Sequence, residues 1–187
     1  MSQADRSEAT RAALVAAGRV LFAERGYADV SVGELVNRAG VTSGALYHQF
    51  GSKERLFRAV YGELVQSVAE GILAERSTDS ERDLVADCEA YLDACVDPAF
   101  HRITLVDGPA VLGWDTIRDG AQVLVQASLA AAQKKGQIPE QPLEPLARML
   151  VAALKEAGVM IATADDPKQA RADAGESVRY LIGGLLI

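Results

Sequence analysis

The chain has 187 residues, 49% hydrophobic but only 5% aromatic, with six prolines, two cysteines, two histidines and a formal charge of −7. It is long enough to bury a substantial core in one or two domains, while no apolar run reaches membrane-spanning length and residues 1–19 lack an apolar signal core, so a membrane-embedded or exported protein is not expected and a cytoplasmic one is. The acidic total speaks at first against a nucleic-acid partner, yet its distribution reverses that: residues 1–61 hold eight Lys/Arg and six Asp/Glu (+2), whereas residues 62–187 hold eleven and twenty (−9). Binding to phosphates depends on the local basic face rather than on the whole chain, so contact with DNA is expected only near the N-terminus.

Alanine and leucine abound, β-branched alternation is scarce, and the prolines fall at helix starts or in connections, which predicts an all-α fold. The first helix shows apolar Leu14, Ala17, Leu21 and Phe22 on one stripe and stops at Arg25-Gly26. Ser31 then caps a short helix, with Glu34 reaching back from three residues later. Leu35 and Ala39 share its inner side, and Gly40 sits where the chain must reverse through a left-handed backbone. A second short helix spans roughly Thr42–Phe50. Val41, Leu46 and Phe50 point to the core, leaving Thr42, Ser43, Gly44, Ala45, Tyr47, His48 and Gln49, a small and polar set that suits a helix laid in a major groove. Gly44 costs about 1 kcal/mol relative to alanine in an early helical turn; close backbone approach to a duplex would account for it, and so would a helix that is simply short and marginal.

A long helix is expected over 52–76, with Leu56, Val60, Leu64, Val68 and Ile72 on one side, joining a reader domain (1–51) to a helical regulatory and dimerisation domain (52–187). Ser77-Thr78-Asp79-Ser80 reads as a polar break. Helices are then expected over 81–96, closed by Asp97-Pro98, and over 99–106, interrupted by Asp107-Gly108-Pro109. The next runs over 115–135, with Lys134 and Lys135 at its negative end and Gly136 as the cap. Pro139, Pro142 and Pro145 mark a connection, and the last helices fall at 144–164 and 168–186.

Thr10-Arg11, LFAERGY at 21–27, AGVTSGALYHQF at 39–50 and SKERLF at 52–57 together resemble the N-terminal DNA-binding domain of the TetR (tetracycline repressor) family, and ITLVDGPAVLGW at 103–114 is similar to a segment in the regulatory domains of one branch of that family. One departure is Val36, where the family more often has alanine at the crossing of the two helices. The resemblance implies a transcriptional regulator, most often a repressor, which binds a pseudo-palindromic double-stranded DNA operator as a homodimer and is released by a small molecule. It further implies phosphate contacts from Tyr47 and Lys53, with Ser31 adding one from the start of its helix. The alternatives are a solvated charge for Lys53 and packing against Leu21 or Leu46 for Tyr47. Thr42, Ser43, Gly44, Ala45 and His48 are the base-facing candidates; few can form bidentate pairs, so methyl contacts and DNA shape should share in specificity. Arg6 and Arg11 either reach DNA from an arm or, for Arg6, belong to a disordered terminus.

In the second domain Tyr91, Phe100, Trp114, Met149 and Met160 are the candidates to line an effector cavity, the alternative being plain core. Only four aromatic residues follow position 62, so an aliphatic cavity for a small, largely apolar effector is expected over a stacked-aromatic one. Cys88 and Cys95 would lie about 10 Å apart on one helix face, too far for a bond between them, and read as buried small hydrophobes rather than as a redox sensor. The isolated His48 and His101 give no metal-ligand set, and no cofactor is expected. Small residues (Ala152, Ala153, Ala157, Gly158, Ala162, Gly175, Gly183, Gly184) and Leu146, Leu150, Leu154, Leu181 and Leu185 mark the last two helices as the dimer interface. The rival readings are a helical enzyme using the cavity, for which no nucleophile-base pair, metal set or phosphate loop is seen, and an interaction module that does not bind DNA.

Overall fold

Helix α1 (Gln3–Arg25) opens with a capping box: Ser2 Oγ accepts the Asp5 amide and Asp5 accepts the Ser2 amide, so two orphan donors are closed before the first turn. It ends at Gly26, whose φ of 82° favours glycine, and it buries Leu14, Val15, Ala17, Leu21 and Phe22. These features, and all that follow, come from a computed structural model that describes residues 2–74 and 84–185, side chains 73, 74, 115, 116, 118 and 119 excepted. The break expected at 77–80, and the helix ends expected at 76 and 81, lie outside the described residues. Arg6 belongs to α1 itself, not to an arm or a disordered end.

Helices α2 (Val32–Ala39) and α3 (Ser43–Phe50) pack on α1, and α4 (Lys53–Ala74) crosses beneath them with Leu56, Phe57, Val60 and Leu64 buried. Beyond it come α5 (Leu84–Ala94), the short α6 (Pro98–Phe100), a π-helical stretch (His101–Asp107), α7 (Gly108–Leu112), α8 (Trp114–Lys134), α9 (Leu143–Thr163) and α10 (Pro167–Gly183). Helix α9 lies at the centre of this half and packs against α5, α8 and α10. The buried apolar side chains form one cluster running from Leu14 through Phe57 to Leu92 and Ile182, so the core is continuous across the junction that α4 provides. Among the described residues every regular element is a helix, and no helix is long and apolar enough to cross a membrane.

Three expectations need correction. Asp107-Gly108-Pro109 does not break the chain into separate helices: Gly108 is right-handed helical and donates to Ile103 O, five residues back, and this wider turn carries the chain past Pro109 into α7. The reversal falls instead at Gly113, with φ 82°, so α8 starts at Trp114. Pro145 is inside the first turn of α9, where a missing amide is tolerated. The expected dimer face also divides. Leu150, Leu154, Ala157, Gly158 and Gly175 are buried within the chain, whereas Ala152, Leu181, Gly183 and Gly184 are exposed.

Candidate nucleic-acid interface and effector cavity

The reader is assembled from local caps. Ser31 accepts the Glu34 amide, Glu34 accepts both the amide and the hydroxyl of Ser31 at 2.8 and 2.7 Å, and Arg25 pairs with the same carboxylate. The Arg25 guanidinium, followed by the Ser31 amide and hydroxyl, holds the Glu34 carboxyl down at about 2. Gly40, at φ 68° and ψ 30°, makes the expected left-handed reversal, and Thr42 Oγ1 caps α3 by accepting the Ala45 amide at 3.2 Å. Val36, the departure from the family pattern, is accommodated in the buried face of α2, and its carbonyl accepts the Val41 amide at 3.0 Å.

With Leu46 and Phe50 in the core, Ser43, Gly44, Tyr47 and His48 are exposed together on α3, joined by exposed Thr42 and half-buried Ala45. Tyr47 is 53% exposed, which leaves much of its ring and hydroxyl open to a partner. A Cβ on Gly44 would meet nothing nearer than Thr42 Oγ1 at 3.8 Å, so no neighbour in the fold demands glycine there. Gln49 ties α3 to α1 by donating to Ser7 Oγ at 2.8 Å, and the Arg11 guanidinium lies 4.7 Å over the Phe50 ring. Both contacts follow from the packing of α1 on α3, and neither has a signature in the local sequence.

Lys53 is not the free solvated charge of the alternative reading. Its half-buried ammonium donates to Tyr27 O and Val30 O, each at 2.8 Å, and stands 4.1 Å over the Tyr27 ring. Two of its three N–H donors therefore fasten the α1–α2 turn, and one is left to meet a phosphate.

A cavity of about 220 Å³ lies among α4, α5, the π stretch, α8 and α9. Its walls are mainly Val65, Val68, Leu105, Leu124 and Leu154, with Tyr61, Tyr91 and Phe100 as the aromatic part. Few polar groups face it. Ser128 Oγ donates to Asp87 at 2.8 Å, and Thr104 Oγ1 donates to Phe100 O at 2.6 Å. Burial pushes the Tyr61 hydroxyl up to about 12, the Tyr91 hydroxyl higher still, and the Cys95 thiol up to about 11, so all three stay protonated at neutral pH. Cys88 and Cys95 are both buried and not joined in a disulfide, and Cys88 lines the cavity. Among the described residues no group of His, Cys, Asp or Glu could hold a metal ion.

Of the five residues named as cavity candidates, Tyr91 and Phe100 line it and meet edge-to-face at 6.3 Å. Trp114, Met149 and Met160 do not. They are 59%, 64% and 57% exposed, because α9 turns Ala147, Leu150, Val151, Leu154 and Ile161 inward, leaving Met149 and Met160 on its outer side, and because α8 begins at Trp114, whose ring lies under the Lys155 ammonium at 5.1 Å. Tyr61, Asp87, Ser128 and Lys155 were not anticipated. The available signal was an isolated polar group on an otherwise apolar helix face.

Residues 14–60 match the model described as bacterial regulatory proteins, tetR family, and residues 82–185 match that of the tetracyclin repressor-like C-terminal domain. The chain belongs to the TetR family. A TetR-family transcriptional regulator from Pectobacterium atrosepticum is 33% identical, with a TM-score of 0.83 over 100% of this chain and 98% of that one. The transposon Tn10 TetC protein of Escherichia coli is 31% identical over 116 residues, 62% of this chain and 59% of its own length. The transcriptional repressor AcnR of Corynebacterium efficiens is 32% identical over 87 residues, 46% of each. The chain thus spans about half the length of the curated relatives it matches. As a TetR-family protein it is a DNA-binding transcriptional regulator, not an enzyme, and its helix-turn-helix is the α2–α3 unit.

Proposed function

We propose that this TetR-family regulator is a cytoplasmic repressor that binds a pseudo-palindromic operator as a homodimer and is released when a small, largely apolar molecule fills the cavity. The observation that carries the reading is the cavity itself, an apolar enclosure bounded on one side by α4, the helix that also supports the reader. Its hydroxyls are neutral and few, which suits a ligand of mainly hydrocarbon surface with one or two polar groups. For binding, Tyr47 and the remaining Lys53 donor are the phosphate contacts, with Ser31 at the entry to α2, while Thr42, Ser43, Gly44, Ala45 and His48 face the bases.

The homodimer is supported by the outer face of α9 and α10, where Met149, Val159, Met160, Tyr180 and Leu181 are 38–77% exposed on neighbouring helices. The name of AcnR supports the sign of regulation. Release follows if the ligand prefers the dimer geometry that does not fit two half-sites, and it must prefer it by about ten-thousand-fold to invert a 1:99 population. Selection of genomic fragments on the purified chain, followed by titration with candidate molecules, tests the reading. Enrichment of one palindromic site that small apolar compounds release is expected. Absence of any salt-dependent DNA binding would instead favour an interaction module.

A further inference from the structure

The π-helical stretch His101–Asp107 touches both the cavity and the turn between α1 and α2. Thr104 and Leu105 line the cavity, as does Phe100 just before it. Gly108, at its far end, lies so close to α4 and α8 that an added Cβ would stand 3.0 Å from the Tyr61 ring and 3.2 Å from Ile117, both of them cavity walls. Between these, Asp107 leaves the regulatory half altogether. Its Oδ2 accepts the Tyr27 amide at 2.8 Å, across 80 residues of sequence, in the turn that leads from α1 into α2.

Arg102, on the same stretch, reinforces the attachment. Its Nη2 donates to Arg25 O at 3.3 Å, its Nε lies 3.7 Å from Asp107 Oδ2, and a side chain on Gly26 would collide with its guanidinium. On the reader side the same turn is fastened by Lys53 through Tyr27 O and Val30 O, and it ends at Ser31, the cap of α2. One hydrogen bond therefore separates the cavity wall from the segment that sets where α2 begins.

We propose that Asp107 is the positioning residue through which occupancy of the cavity reaches the DNA reader, with the π-helical stretch as the element that moves. The assignment rests on the cavity being the effector site. A π turn holds one more residue than an α turn, so relaxing it into α geometry rotates everything beyond it by roughly 100°, the angle per residue of a helix. A molecule pressing on Thr104 and Leu105 acts on that turn, and the Asp107 carboxylate cannot follow such a rotation and keep the Tyr27 amide. The bond is therefore held in one state and lost in the other, which is what a coupling element between two sites requires.

The test reads amide hydrogen exchange across residues 26–41 of the full chain, without DNA and without an effector. Ala121→Trp, on the α8 wall of the cavity, serves as the occupant. Exchange across 26–41 should rise about fivefold, the factor carried by one hydrogen bond of ordinary strength. In an Asp107→Ala background the same substitution should add nothing, and Asp107→Asn, which keeps an oxygen for the Tyr27 amide, should restore most of the response. A purely structural aspartate would shift the baseline and leave the response intact. A rise that persists in Asp107→Ala, or one confined to α5 and α8, overturns the assignment. Neither result alters fragment selection by the natural chain, so the repressor reading is judged separately. If Ala121→Trp does not melt cooperatively, Ala121→Phe is read in its place by the same criteria.

Discussion

In the reader, helix starts are closed by side chains three residues away, Ser31 with Glu34 and Thr42 with the Ala45 amide, whereas the polar contacts of the regulatory half join separate helices, Ser128 on α8 to Asp87 on α5, and Arg171 on α10 to Glu89 and Asp93 on α5. The reader is specified locally and presents exposed, uncommitted groups on α3. The regulatory half is specified by packing and sets a few polar groups, Asp87, Thr104 and Ser128 among them, at an otherwise apolar cavity wall. A DNA-binding surface must be rigid before its partner arrives, while a cavity must yield to its occupant, and the two kinds of contact suit those two tasks.

The largest expected effect tests whether the halves are separable at all. Phe22 is fully buried and meets both Tyr27 and Phe57; Phe22→Ala should cost about 3–5 kcal/mol. Because the core is continuous through α4, a single unfolding transition should move as a whole in urea. Two transitions, with only one displaced, would show the halves to be independent units. Next comes Lys53→Ala, which removes two charged hydrogen bonds and should cost about 2 kcal/mol of stability. It should also weaken binding to operator and random duplex alike and lower the salt slope by about one unit; unchanged affinity for random DNA would leave Lys53 with only its role in the turn.

Leu154 and Leu181 sharpen the contrast within the regulatory half, since one is 6% and the other 60% exposed. Leu181→Glu should leave the fold intact and raise the dimer dissociation constant tenfold or more, as a carboxylate does in an apolar contact, measured by sedimentation. Leu154→Glu should instead abolish the cooperative melt. Equal behaviour of the two variants would place the dimer face elsewhere. The smallest effect concerns Glu34. Its carboxyl titrates at about 2 against an ordinary 4.5, so the stability it lends is complete above pH 4.5 and is lost as the pH falls through about 2. Glu34→Gln should flatten the acid limb of the urea midpoint between pH 4.5 and 2; an identical limb in both proteins would mean that the pair with Arg25 contributes nothing to folding.

The sequence by itself determined the reader almost completely, since a capping serine, its glutamate partner, the glycine at Gly40 and the alternation of Leu46 and Phe50 with exposed positions all act over four residues or fewer. It also determined the helical class and the sites of most boundaries, because helix starts and stops are local chemistry. Only the tertiary structure decided that Lys53 faces Tyr27 and Val30, that Trp114, Met149 and Met160 turn outward while Tyr61 and Ser128 turn in, and that Asp107 crosses to the Tyr27 amide. Each of these depends on which helix face meets which neighbour. Helical periodicity shows that a face is apolar but not what it packs against, and a π turn shifts every later face by one residue without any mark in the periodicity that precedes it.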